Sequence, residues 1–204
     1  MYSSHAALAD SGFTAQEYPD DVLIDRVVDL LTTGGVVGWS QGRFEFGPRA
    51  LGNRSILADP RSQSMKDIVN TKIKFREPYR PFAPSVLVER APEFFALEEP
   101  ARHLPARFML LVAPVKQGEC RIPAVTHADG SARVQTVTPE SNPRYYRLIE
   151  RFGQATGVPV VLNTSFNLRG EPIVNTPAEA LSTFARSGLD ALVLGNMLVT
   201  KEGR

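Results

Sequence analysis

The sequence predicts a single α/β domain, a twisted mixed β-sheet with helices packed on it. Three observations carry this. Helical and strand-like segments alternate along the 204 residues. One turn signal, Asp129-Gly130, inserts a hairpin into that alternation, so the sheet is mixed rather than purely parallel. No linker, internal repeat or low-complexity tract divides the chain, whose length suits one domain.

Residues 1–17 lack periodicity and read as a loose leader, which leaves 18–204 as the domain. From Pro19, PDDVLIDRVVDLLTTGG reads as a helix. Asp20 and Asp21 suit the positive end of its dipole, and Leu23, Val27, Leu30 and Leu31 share one face, with Gly34 and Gly35 as the stop. GVVGWSQ follows as a buried strand, then a loop over 42–54, then the short strand SILAD. SMKDIVNTKI is a short helix and APSVLVE a strand. Residues 89–106 read as a short helix plus surface loop, FMLLVAPV as a strand, and AVTHADGSARVQTV as a hairpin. NPRYYRLIERFGQATG has a complete helix signature: Asn142 as cap, Pro143 in the first position, Gly157 as the stop. VPVVLN is a buried strand, and TPAEALSTFARSG a helix opened by a Thr176–Glu179 capping box. DALVLG and NMLVTK complete the sheet.

The net charge of +1 gives no global pull toward nucleic acid, but the charge is unevenly spread. Nine basic residues against four acids lie between Gln41 and Arg80, whereas the first thirty residues hold six acids against Arg26 alone. That points to a local site for an anionic ligand and away from a nucleic-acid surface. No apolar run is long enough to span a bilayer, and no basic-then-apolar leader opens the chain. The single cysteine, Cys120, excludes an internal disulfide and fits a reducing, cytoplasmic setting. No metal-ligand spacing is present.

The stretch GWSQG, residues 38–42, matches the G-x-S-x-G pattern of a hydrolase nucleophile elbow. An elbow needs a helix straight after the serine. Gly42, Gly47, Pro48 and Gly52 forbid one, so Ser40 is read as the end of a buried strand. The loop after it fits an anion site better: glycine lets backbone approach a ligand, and the Arg49 guanidinium offers a planar fork to phosphate or carboxylate. It is neither a P-loop nor a G-x-G-x-x-G turn. In IKFREPYRPFAP, an extended reading puts Lys74 and Arg76 on one face, and Pro78 and Pro81 stiffen the approach to Arg80. Asn163, Thr164, Ser165 and Asn167 follow a buried strand, at the strand end where α/β sheets bind ligands. Arg133 shares a strand face with Gln135, and His127 flanks the turn; a histidine so placed is more often structural than catalytic.

Taken together, GRFEFGPRALGNRSILADPR, NTKIKFREPYRPFAPSVL, THADGSARVQTV and LNTSFNLRGEPIV resemble the C-terminal domain of the O-carbamoyltransferases that act on antibiotics and nodulation factors. The four segments stand in the family's order and reach from about Gly34 to Val199. That domain is similar to the YrdC-like fold: Lys74-Phe75-Arg76 resembles its Lys-x-Arg signature and Ser165-Phe166-Asn167 its Ser-x-Asn signature. The resemblance implies ATP, with Mg²⁺ arriving on it, and carbamoyl phosphate as ligands, and carbamoyl-adenylate as product. It places Lys74, Arg80 and Arg133 on the reacting phosphates as the catalytic set, with Arg49 and Arg76 completing a cationic wall. Asn163, Thr164, Ser165 and Asn167 would hold nucleotide or substrate. The family's larger, metal-binding N-terminal transferase domain is not visible in these residues, so it is expected as a partner in cis or in trans. A homodimer is left open, and no membrane or nucleic-acid partner is expected. The rival reading is a YrdC-like basic groove that binds RNA without catalysis.

Overall fold

A computed structural model describes residues 4–9, 11–75, 77, 79–116 and 121–201. The elements run α1 Ser4–Ala9, β1 Ala15–Glu17, α2 Asp20–Thr32, β2 Val37–Ser40, β3 Arg54–Ala58, α3 Ser64–Val69, β4 Ala83–Leu87, α4 Ala91–Phe94, α5 Leu104–Arg107 and β5 Leu111–Pro114. They continue with β6 Ser131–Val137, α6 Pro143–Thr156, β7 Val160–Ser165, α7 Pro177–Arg186, β8 Ala191–Leu194 and β9 Met197–Thr200. The strands form one nine-stranded sheet in the order β1-β9-β8-β2-β3-β7-β4-β6-β5. The β2–β8 and β4–β6 pairs are parallel and the others antiparallel, so the expected mixed sheet is present.

The alternation of side chains along the strands divides the core between the two sheet faces. On one face, Trp39, Leu57, Val137, Val161 and Val193 pack beneath α2 and α6. The amphipathic spacing of those helices buries Leu23, Ile24, Val27, Val28 and Leu31 from α2, and Tyr145, Leu148, Ile149 and Phe152 from α6. Each such side chain contributes about 1.5–3 kcal/mol on leaving water. Ion pairs join the two helices at their polar rim, with Arg144 on Asp20 at 2.6 Å and Arg147 on Asp21 at 3.3 Å. On the other face, Ile56, Val134, Val160, Leu162 and Leu192 meet Met65 and Val69 of α3, and Ala180, Leu181 and Phe184 of α7. Caps occur where the residue pattern places them. The Asn142 side chain accepts from the Tyr145 amide, Gly157 ends α6 at φ 74°, and Thr176 and Glu179 close a reciprocal box on α7.

Four local expectations are corrected. The leader is not loose over its described part: β1 pairs with β9, and Ala7, Leu8 and Phe13 lie against the core. A three-residue strand is too short to show a period, and it is specified by the β9 edge it covers. The segment around Lys74 is not extended: α3 runs on into a π-helical turn over Asn70–Lys74, which Phe75 ends in the left-handed region at φ 44°. The 124–137 segment is not a two-strand hairpin, since a 3₁₀ turn at Pro123–Val125 precedes the Asp129-Gly130 turn and β6 takes β5 as its antiparallel partner. Finally, β5 starts only at Leu111, because Met109 stands at φ 54° and interrupts the run.

Candidate functional site

The central strands end in a cleft where β7 finishes and β3 and β4 begin, beside the first residues of β6. The register fixes the row: Asn163 of β7 faces Leu57 of β3 and Ala83 of β4, while Ser165 faces Ser55. Three connecting segments close over this row: the 42–53 loop, the π-helical turn, and the 166–175 loop.

Lys74 is the last residue of the π-helical turn. The wider turn brings its side chain inward, and the residue is 6% exposed. Its Nζ donates to the Ser165 carbonyl at 2.6 Å, Asn167 Oδ1 at 2.8 Å and the Asn167 carbonyl at 3.1 Å, and lies 3.3 Å from Ser165 Oγ. Ser165 Oγ in turn donates to Asn167 Oδ1 at 2.6 Å, and Asn167 Nδ2 to the Glu171 carbonyl at 2.7 Å. A single ammonium thus ties the π-turn to the end of β7. A cavity of about 410 Å³ opens on this cluster, lined by Lys74, Glu77, Arg80, Ser165, Asn167 and Arg169 among others. Arg80 makes a half-exposed ion pair with Glu77 at 3.2 Å, and Arg169 donates to the Phe75 carbonyl at 2.8 Å.

A second, smaller cavity of about 100 Å³ lies beside it, lined by Arg49, Arg133, Met109, Asn163, Thr164 and Ser165 among others. Ser165 borders both cavities. Of the residues singled out in the sequence, Lys74, Arg80, Ser165 and Asn167 therefore line one cavity, and Arg49, Arg133, Asn163, Thr164 and Ser165 the other. Arg76 lies outside the described residues. The question posed by the GWSQG pattern is also answered. Ser40 is the last, buried residue of β2, its carbonyl accepts from Gly195, and a loop leads from it to β3 with no helix among the described residues between.

The loop that carries Arg49 is built by two charged residues whose roles the sequence did not disclose. Glu45 accepts hydrogen bonds from the amides of Leu51 (2.7 Å), Asn53 (2.7 Å) and Arg54 (3.1 Å). Burial pushes its carboxyl above the ordinary range, against those bonds and the nearby Arg54. Arg54 is 7% exposed and donates to the carbonyls of Gln41 (2.5 Å), Asn53 (3.0 Å), Gly42 (3.3 Å) and Asn175 (3.1 Å). Burial lowers its pKa below the usual guanidinium value, and Glu45 opposes this. Gly52, at φ 107°, lies flat on the Tyr145 ring, where a Cβ would come within 2.2 Å of the ring. So the loop's glycines and arginines divide: Gly52 and Arg54 hold its shape, and Arg49 faces the cavity.

Behind the smaller cavity is a buried polar chain that the sequence showed only as polar letters in apolar strands. Asn163 Nδ2 donates to the Ala50 carbonyl (3.1 Å), Ser85 Oγ (3.1 Å) and Gln135 Oε1 (2.9 Å). Ser85 donates to Gln135 Oε1 at 2.6 Å, and Gln135 Nε2 to the Leu51 carbonyl at 2.8 Å. Ser85 and Gln135 are directly paired across β4 and β6, and that inward pairing was the available signal. Among the described residues there is no cluster of three or more His, Cys, Asp or Glu side chains able to hold a metal ion.

Comparison with known proteins agrees with this architecture. The family described as "Carbamoyltransferase C-terminus" matches residues 28–201. The chain is 50% identical over 195 residues to nodulation protein NolNO of Sinorhizobium fredii, covering 95% of this chain and 28% of that one. It is 42% identical over 166 residues to the 3′-hydroxymethylcephem-O-carbamoyltransferase of Streptomyces clavuligerus, covering 81% and 30%. Among solved structures, full-length HypF in its phosphate- and nucleotide-bound form superposes with a TM-score of 0.60 at 20% identity, covering 89% of this chain and 26% of HypF. The fold is thus shared with HypF, and the chain spans about a third of the length of the curated relatives it matches. With a match over 174 of its 204 residues and relatives at up to half identity, this chain belongs to the carbamoyltransferase C-terminal family.

Proposed function

We propose that this domain binds ATP and carbamoyl phosphate and makes carbamoyl-adenylate, for transfer to an acceptor hydroxyl by the rest of a longer protein or by a partner domain. The observation that carries the reading is the pair of cavities meeting at Ser165, one lined by Lys74 and Arg80, the other by Arg49 and Arg133. The larger has the size of a small-ligand site and suits a nucleotide. The smaller admits only something like an acyl phosphate.

The chemistry balances in two steps. Water cleaves carbamoyl phosphate to carbamate and inorganic phosphate. A carbamate oxygen then attacks the α-phosphorus of ATP, forming the new P–O bond as the bond to pyrophosphate breaks. Neither step needs a protein nucleophile. Both need several negative charges gathered in one place and stabilised as charge builds on phosphoryl oxygens, which is positioning plus electrostatics. Lys74, fixed from four directions, offers a preorganised charge, and Arg133 and Arg49 offer forks across Ser165. Mg²⁺ would come with the ATP phosphates, where it supplies charge neutralisation; Glu77 is the carboxylate on the larger cavity.

The test is incubation of the chain with ATP, carbamoyl phosphate and Mg²⁺, with detection of nucleotide-linked carbamate, alongside calorimetric binding of each ligand. Lys74→Ala should weaken binding of a non-hydrolysable ATP analogue, and Arg133→Ala that of carbamoyl phosphate, each by roughly ten- to a hundredfold. No binding of either ligand to the intact chain would overturn the reading.

A further inference from the structure

We infer that Arg186, at the end of α7, is a positioning residue for Lys74: it acts through Glu171 and Asn167 to hold the ammonium where the nucleotide phosphates would meet it. Arg186 lines neither of the two cavities that meet at Ser165. The inference rests on the function proposed above and adds to it a residue that touches no ligand.

A buried ammonium needs acceptors around it, and Asn167 Oδ1 is one of those on Lys74, at 2.8 Å. An amide can turn either its oxygen or its nitrogen to a neighbour, and a nitrogen facing Nζ would set donor against donor. Ser165 Oγ, 2.6 Å from Oδ1, does not decide the matter, since a hydroxyl can donate or accept. The choice is made at the other end of the amide. There Asn167 Nδ2 donates to the Glu171 carbonyl at 2.7 Å, and a carbonyl can only accept. The place of Glu171 therefore sets the orientation of Asn167, and with it an acceptor of Lys74.

Glu171 has little packing behind it, because its loop runs between two hollows. On one side Leu168, Arg169 and Gly170 border the larger cavity of the cleft. On the other, Glu171, Pro172 and Ile173 border a separate cavity of about 320 Å³ that residues of α7 complete. Gly170 stands at φ 79° with open space beside it, which makes it a hinge. The Glu171 amide closes a turn on the Leu168 carbonyl at 3.2 Å, which shapes the turn without fixing where it sits. Arg186 supplies that anchor. Its two terminal nitrogens take the two Glu171 carboxylate oxygens at 2.5 and 3.3 Å, and its Nε donates to the Ser182 carbonyl at 3.2 Å. A two-pronged pair of this kind sets direction as well as distance. Both side chains are partly exposed, at 50% and 33%, so the pair contributes little to global stability. Its effect is local: it fixes one residue of a loop that neither hollow supports.

A double-mutant cycle on the full chain tests this. Arg186→Gln should weaken binding of the non-hydrolysable ATP analogue about three- to tenfold, with carbamoyl phosphate affinity kept within about twofold and the urea midpoint unchanged. Glu171→Ala, which breaks the pair from its other side, should do the same, and the double variant should lose no more than either single one. The ¹H–¹⁵N resonances of the Asn167 side-chain amide give a reading that a purely structural role would not move: they should shift in both single variants as the bond to the Glu171 carbonyl loosens. An ATP-analogue affinity within twofold of wild type in Arg186→Gln, additive losses in the double variant, a urea midpoint that falls in step with affinity, or an unmoved Asn167 amide overturns this assignment and leaves the proposed function standing. An intact chain that does not bind the ATP analogue overturns both.

Discussion

Individual charged residues near the cleft do opposite jobs, and substitution separates them. Arg54 is buried and satisfies carbonyls from two loops, so Arg54→Ala orphans those acceptors and should cost roughly 2–4 kcal/mol in denaturant unfolding. Arg49→Ala should stay within about 0.5 kcal/mol in the same assay and instead weaken carbamoyl phosphate binding about tenfold. The two arginines are five residues apart in one glycine-rich stretch, Arg49 in the loop and Arg54 at the start of β3, and nothing in their spacing tells them apart. Their difference is made by Glu45, folded back onto the Arg54 amide, and by the Asn175 carbonyl, which comes from elsewhere in the fold. His127 carries a pH dependence of its own. Ser131 Oγ donates to Asp129, so it must accept from His127 Nδ1–H, and Nε2 is left bare and buried. Burial first, then Arg133 and Lys66, push its pKa below 6.5, while Asp129 pulls the other way. The unfolded chain then binds the extra proton, so stability is full above about pH 6.5 and falls as the pH drops through the lowered value. His127→Gln should flatten that part of the stability–pH curve, measured by urea unfolding between pH 5 and 7 on the order of one pH step at a time.

At the scale of elements, what was legible depended on whether the signal was local. α2, α6 and α7 were readable to within a residue or two, because caps and a 3.6-residue period belong to the segment itself. Thr176→Ala breaks the reciprocal box on α7 and should cost about 1 kcal/mol, read as a fall in the denaturant midpoint at unchanged slope. The π-helical turn was not legible. KDIVNTKIKFR reads as a short helix followed by an extended stretch, and only the tertiary pull of Ser165 and Asn167 on Lys74 marks the wider turn. The partner of β6 was likewise hidden, since Asp129-Gly130 signals a turn but not which strand precedes it. Lys74 and the residues of β7 were found from sequence even so, because polar side chains at the end of an apolar strand are conspicuous. Ser85 was passed over because a single serine in a strand is not.

The molecule as a whole is a nine-stranded sheet with the cleft among its central and later strands and β1 at the far margin. Removing residues 1–17 should therefore damage the fold without touching the site. It uncovers β9, where Val199 is fully buried, and strips Ala7, Leu8 and Phe13 from the core. We expect a loss of a few kcal/mol and a melting temperature lower by about 5–10 °C, with some self-association through the freed edge, while affinity for the ATP analogue at about 10–15 °C below the new melting point stays within about twofold. Calorimetry and size-exclusion chromatography read the two halves of that statement. The sheet order also explains why a chain this short can carry such a site: Arg49, Lys74, Arg133 and Ser165 come from four distant stretches and are brought together only when all the central strands are paired. Whatever fills the two cavities ties those four stretches together like a clasp. Loosening any one of them lets the occupant go, and seating the occupant fastens all four at once.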